Sequence, residues 1–306
     1  MWPASGIGRL AVISTVALLW LGVTPGFGQC DRGTLFLADG EQDDRFGECL
    51  AVIGDELYIG VPGRAGSGWQ GVVMRFERSD PWQWRLRGGI RPQLPAAAVG
   101  ESIAVDAQTL VLGSPVSATV HVFHRDDQSG WREAQTLEPV DADAGAKFGA
   151  AVAVEGATLL VGSPRDQSST EGALYVFERD ADDVWGLQAK FNCSIDDDGE
   201  VGSAVALEGN LAAACGDTSA LILERHPDSG WGESGRLDPT SSQFSSLSVG
   251  ITGESVLLGD RTRAYNVSGA GVVNLYQRPD GSSWEHTRLL RPRVDRVSEG
   301  FGASPF

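Results

Sequence analysis

A block of about fifty residues that recurs five times constrains this chain more than any other feature. The clearest copy runs from Phe148 to Phe191 and holds four short apolar runs, Ala151–Val154, Thr158–Val161, Ala173–Phe177 and Trp185–Phe191. Between them lie Glu155-Gly156-Ala157, a polar loop at 165–172 and the acidic turn Asp180–Asp183. Runs this short, rich in Val, Leu, Tyr and Phe and bounded by Gly, Pro and Asp, predict strands, and none is long enough for a helix. Each block is therefore a four-stranded antiparallel meander. One small sheet leaves both faces open to water, so each needs neighbours.

The copies start at Phe46, Val99, Phe148 and Val201 and near Ser245, and a partial sixth starts at Phe301. The distance from the start to a Gly after the second run is kept in every copy but the fourth, whose hairpin reads as one residue shorter. Leu35–Leu37 stands ahead of the first copy like a detached fourth strand. Trp82, Trp131, Trp185, Trp231 and Trp284 recur at the start of the fourth strand, a repetition that points to packing at the rim rather than a sugar platform. First runs of small and β-branched residues, such as AAVAV and SAVAL, suit a crowded central channel. The expected fold is an all-β propeller of four-stranded antiparallel blades, with five full repeats plus partial ones. Because these do not close neatly, the expectation is an open five-bladed arc or part of a six- or seven-bladed ring.

Units reading FG…AV…L.VGSP…G.LYVF.R…W resemble FG-GAP repeats, the units of the integrin α-subunit propeller and of many exported bacterial proteins. The resemblance spans about residues 34–306 and implies a propeller that acts by binding or adhesion. It also implies calcium loops of the form D-x-D-x-D-G between the first two strands. Here those connections are tight hairpins: Ile53-Gly54-Asp55-Glu56, Asp106-Ala107-Gln108, Glu155-Gly156-Ala157, Glu208-Gly209-Asn210 and Thr252-Gly253-Glu254. Calcium needs six or more oxygens from a loop that wraps it, so no cofactor is expected. Asp196, Asp198 and Glu200, in an acidic linker, are the weak candidates for a cation.

Arg9, the apolar run Leu10–Val23 and the small residues up to Gly28 make residues 1–28 a secretory signal peptide, leaving 29–306 as the propeller. The mature chain is then secreted, periplasmic or at the cell surface, and does not span the membrane. Four cysteines in an exported chain favour disulfides, with Cys30–Cys49 and Cys193–Cys215 closing the shortest loops among three connectivities. A formal charge of −17 argues against nucleic acid and anionic membranes as partners.

No nucleophile elbow is present, the nearest approach being Ser246–Gly250, and no carboxylate pair stands out for glycoside hydrolysis. Position is more informative. In a propeller, the loops joining strands two and three and the linkers between units emerge on one face, away from the tight hairpins. The ligand-binding candidates there are Arg64 and Trp69 in the first unit, Arg165, Asp166 and Glu171 in the third, and Arg261, Arg263 and Tyr265 in the fifth. Acidic linkers around Asp43, Asp44, Asp143 and Asp197 join them. Mixed charge with isolated aromatics, on loops held by a scaffold, suits a non-catalytic module that binds a protein or glycan. The alternatives are a secreted hydrolase acting on polysaccharide, or a structural module of a larger surface protein.

Overall fold

A computed structural model describes residues 13–14, 35–37, 39–41, 43–66, 69–81, 83–126, 130–139, 141, 145–166, 172–193, 200–216, 219–238, 247–260, 271–279, 281 and 283–291. Among them there is no helix, and five antiparallel sheets follow one another in chain order. The first contains β1 (Ile13–Ser14), β2 (Cys49–Ile53), β3 (Glu56–Gly66), β4 (Trp69–Asp80) and β5 (Gln83–Ile90). The two residues of β1 pair with Leu50 and Cys49. The second has β6 (Ser102–Val105), β7 (Thr109–Ser114), β8 (Thr119–Asp126) and β9 (Gly130–Leu137), and the third β10 (Ala151–Glu155), β11 (Thr158–Ser163), β12 (Gly172–Arg179) and β13 (Trp185–Cys193). The fourth has β14 (Ala204–Glu208), β15 (Leu211–Cys215), β16 (Ala220–His226) and β17 (Gly230–Leu237), and the fifth β18 (Leu247–Thr252), β19 (Ser255–Asp260), β20 (Val272–Gln277) and β21 (Glu285–Leu290).

Alternation along each strand divides its side chains between two neighbouring sheets. In the second sheet, Leu110, Leu112 and Phe123 pack against Cys49, Ala51 and Tyr58 of the first. The residues between them, Val111, Val120 and Val122, meet Phe148, Leu159, Val161 and Tyr175 of the third. Burial on both faces explains why β7 and β11 read as continuous apolar runs rather than as alternating ones. The inner strands β2, β6, β10, β14 and β18 lie side by side in that order. This is the propeller arrangement that the repeats predict.

Two glycines in each of the first three units set the spacing. The amide of the first, as in Gly47, Gly100 and Gly149, donates to the carbonyl of the second, Gly60, Gly113 and Gly162, at 3.0 Å. The first adopts φ between +85° and +90° in these three units, a region closed to most side chains. The second faces the next sheet: a Cβ on Gly60 or Gly113 would stand 2.1 Å from the carbonyl oxygen of Gly100 or Gly149, and one on Gly162 would stand 2.0 Å from that of Gly202. Cys49 Sγ and Ser102 Oγ donate to the Gly100 and Gly149 carbonyls, at 3.0 and 2.7 Å.

The fourth unit is not one residue shorter. Ala204 pairs with Cys215 as Ala151 pairs with Gly162, and Gly202 N donates to the Cys215 carbonyl, so Cys215 occupies the second glycine's position. The next unit has Ser245-Ser246 where the others have Phe-Gly or Val-Gly. The glycine and the motif it normally receives are thus lost together. Leu35–Leu37 is also not a strand; Leu35 packs instead on the apolar face formed by Leu57, Ile59 and Phe76. Cys49 is a buried thiol, 1 % exposed, so the Cys30–Cys49 bridge is not formed. Cys30, the side chain of Cys193 and the partial sixth unit lie outside the described residues.

The tryptophan pattern holds with one change of register. Cross-strand pairs Arg78↔Trp84, Arg125↔Trp131, Arg179↔Trp185 and Arg225↔Trp231 recur, so Trp84 and not Trp82 takes the first position. Trp131 Nε1 donates to the Tyr58 hydroxyl of the preceding sheet at 2.7 Å. At the register of Tyr58 the later sheets carry Val111, Leu160 and Ala213, and the indole N–H groups of Trp185, Trp231 and Trp284 accordingly have no partner.

If the second glycine governs contact between sheets, Gly162→Ala lowers stability in urea unfolding by about 1–3 kcal/mol. Gly186→Ala, where a Cβ meets nothing within 4 Å, stays within about 0.5 kcal/mol of the parent. Equal effects would remove the glycine contact as the cause.

Candidate binding face

The antiparallel order places the 2–3 loops and the inter-unit linkers at one edge of the sheets and both kinds of hairpin at the other. At the hairpin edge three acidic side chains are committed to the backbone of the next sheet. Asp106 Oδ2 accepts Gly156 N at 3.0 Å, Glu155 Oε2 accepts Gly209 N at 2.6 Å, and Glu208 Oε2 accepts Gly253 N at 2.8 Å. Each of these carboxylates thus ties its hairpin to that of the next sheet.

At the loop edge, incoming linkers are pinned to the sheet that follows them, in the first three sheets at or beside its 2–3 loop. In the first sheet, Gly63 N donates to the Asp44 carbonyl at 3.1 Å, and Arg64 reaches Asp39 at 2.5 Å and Asp44 at 3.5 Å. In the second, Ser114 Oγ donates to Ala97 O at 2.6 Å and Ala97 N donates to Ser117 Oγ at 2.8 Å. In the third, Ser163 Oγ and Arg165 N both donate to Ala146 O, at 2.9 and 3.1 Å. In the fifth, the Tyr276 hydroxyl donates to Asp238 O at 2.9 Å.

The third sheet adds a charged knot. Asp166 is 1 % exposed, and its Oδ2 accepts from the Tyr175 hydroxyl at 2.5 Å and from Lys190 Nζ at 3.1 Å. Lys190 also donates to Asp141 of the linker at 2.8 Å and lies 5.0 Å from the centre of the Tyr175 ring. Burial lowers the affinity of Lys190 for its proton, but the hydrogen bonds to Asp141 and Asp166 outweigh that and hold its pKa above the usual lysine value. Burial, and then the bond to Asp166, push the Tyr175 phenol up as well. Asp166 Oδ1 has no partner, so the knot leaves one buried acceptor unused.

The candidates read from sequence divide into scaffold and surface. Arg64 and Asp166 are scaffold, holding linker and loop to the sheet. Arg165 is about half exposed and pairs with Glu200 at 3.0 Å, so this loop is braced to the next linker. Trp69 opens β4, with its side chain outside the described residues. Glu171, Arg261, Arg263, Tyr265, Asp196 and Asp198 also lie outside them. Among the described residues no three His, Cys, Asp or Glu side chains gather as metal ligands. Sequence reading did not find Lys190, Tyr175 or Asp141, because their meeting depends on the Tyr175↔Lys190 register. It also passed over Leu94 and Val116, which stand 72 % and 69 % exposed on a linker and a 2–3 loop joined through Ala97, Ser114 and Ser117.

Residues 131–177 match the FG-GAP repeat, a span that runs from the outer strand of the second sheet through β12. No curated protein sequence matches the chain. Among solved structures, a protein from Lactobacillus plantarum aligns with a TM-score of 0.55 at 12 % identity, covering 79 % of this chain and 70 % of that one. A Bacteroides uniformis protein provisionally named a 6-phosphogluconolactonase aligns with a TM-score of 0.58 at 10 % identity, covering 80 % and 75 %. Chaetomium thermophilum Sqt1 aligns with a TM-score of 0.51 at 13 % identity, covering 80 % and 60 %. These likenesses establish the propeller fold.

Replacing Lys190 with Met leaves Asp166 as a buried carboxylate without its cation and costs about 3 kcal/mol near neutral pH. A lysine whose pKa is raised by folding contributes stability that is fully present below its unfolded pKa and lost as pH rises through the folded one. The gap between the parent and Lys190→Met in urea unfolding therefore narrows above about pH 10. A gap that is constant through that range would show that the ion pair contributes nothing.

Proposed function

We propose that this chain is an exported, non-catalytic propeller that binds a macromolecular partner, a protein with apolar and cationic groups, through its loop edge. The observation that carries this reading is the coincidence of rigid support and exposed apolar groups. Linkers and 2–3 loops are tied down by side-chain bonds in the second sheet and by an ion-paired knot in the third, and Leu94 and Val116 project from that support. Large exposed apolar side chains held on fixed loops lose little entropy on binding, which favours recognition. Glu41 and Asp43 lie on a linker of the same edge, and the chain carries a formal charge of −17, so basic groups on the partner would gain attraction.

A hydrolase or lactonase reading would draw on the name of a neighbour at 10 % identity, a likeness that reaches the fold alone. Three of the hairpin carboxylates, Asp106, Glu155 and Glu208, are bonded to backbone amides.

The test starts from a partner captured by cross-linking in the source organism and then purified. Leu94→Glu with Val116→Glu weakens its binding at least about tenfold, whereas Asp182→Lys on a hairpin of the opposite edge leaves it within about twofold. Raising salt weakens binding to the parent chain. A partner lost through the hairpin variant and kept by the loop variant would place recognition on the other edge.

A further inference from the structure

The five sheets repeat one electrostatic joint, and one copy of it differs. At the end of the third strand an arginine lies over the tryptophan that opens the fourth: Arg78 over Trp84 at 5.0 Å, Arg125 over Trp131 at 4.7 Å, Arg179 over Trp185 at 5.7 Å and Arg278 over Trp284 at 5.2 Å. Between the fourth and fifth sheets this arginine also closes the seam. Arg278 takes both oxygens of Glu224, at 2.6 and 3.1 Å, and donates to Ser234 Oγ at 3.2 Å. Ser234 is the extra residue of the outer-strand bulge, which turns its side chain into the joint.

Between the third and fourth sheets the same parts make a looser joint. Arg225 meets Glu178 through one contact, Nη2 to Oε1 at 2.8 Å, and among the described residues it is not stacked on Trp231. Gln188 holds the bulge position that Ser234 holds one sheet later, and its amide has no partner among the described residues. The seam is left as a groove of about 580 Å³, within the range of small-ligand sites. Its walls carry the amides of Gln188 and Asn210 and the imidazole of His226, and Ala189 and the little of Trp231 that is exposed supply apolar surface.

We propose that this groove binds a neutral saccharide. The fixed charges of Glu178 and Arg225 cancel each other, so the walls offer a charged ligand no net attraction. The apolar surface is too small to hold a hydrophobic one. What the groove does offer is a set of planar donor and acceptor pairs: two amides, one carboxylate oxygen beyond the ion pair, and the remaining guanidinium N–H groups. Neighbouring hydroxyls on a sugar ring each donate and accept, and can satisfy such pairs while the ring's C–H face lies on Ala189. The site is separate from the loop edge proposed for a protein partner and stands or falls independently of it.

Saturation-transfer NMR and calorimetry on the full chain, with methyl glycosides of glucose, galactose, mannose and N-acetylglucosamine and their 1,4-linked disaccharides, test the proposal. At least one neutral saccharide is expected to bind, and Gln188→Ala with Asn210→Ala is expected to weaken it at least about tenfold. Both side chains are exposed and without partners among the described residues, so unfolding does not confound the result; Leu94→Glu with Val116→Glu leaves binding unchanged. No binding by any neutral saccharide would overturn the proposal. So would binding indifferent to the two alanines, or binding confined to sugar acids and abolished by salt.

Discussion

The close approach of two glycines holds the rest of the structure in place. Gly149 closes its own unit by donating to Gly162, and Gly162 in turn lets the carbonyl of Gly202 come within a distance that no side chain would permit. The same contact joins the first sheet to the second and the second to the third. It sets how near successive sheets lie, and so which side chains meet across each seam. The seams hold nearly all the buried apolar surface, with Val111, Val161 and Tyr175 meeting in one and Leu160, Leu174 and Leu221 in the next.

Local chemistry then differs from seam to seam on this common spacing. Between the first two sheets the joint is polar. Glu56 accepts from Arg75 and Arg125; burial alone would raise its pKa, but the two arginines outweigh burial and lower it. Trp131 reaches Tyr58, whose phenol burial pushes up to about 12. Between the second and third sheets Gln135 clamps the backbone of Trp185 from both sides, at 2.9 Å each. Between the third and fourth the joint is open enough to form a groove. A repeated backbone with unequal joints lets a single architecture carry a rigid edge and a recess in different places.

The fold was legible in the sequence because it rests on periodic demands. Four short apolar runs per unit, a Gly at a fixed offset and a recurring Trp report strand count, close approach and rim packing without any knowledge of distant contacts. Errors arose where one residue did another's work. Cys215 in the place of a glycine hid the constancy of the fourth unit, and Trp82, two residues from Trp84, captured the wrong register. The binding face was legible only as an edge. Topology assigned the loops to it, but Arg64 and Asp166, singled out by charge, proved to be fasteners. Their roles depend on Asp44, Tyr175 and Lys190, which only strand pairing brings near. Leu94 and Val116 gave no signal because an isolated apolar residue in a linker carries no pattern.

The central claim is that the glycine contacts join the sheets into one cooperative support from which the loops are displayed. Native-state hydrogen exchange at the amides of Gly47, Gly100, Gly149 and Gly202 measures this most directly, since each donates to a carbonyl of its unit's second strand at 3.0 Å. The account predicts that all four exchange only through global unfolding, with a common free energy and a common dependence on denaturant. Four different opening energies, with sheets releasing their protons one after another, would contradict it.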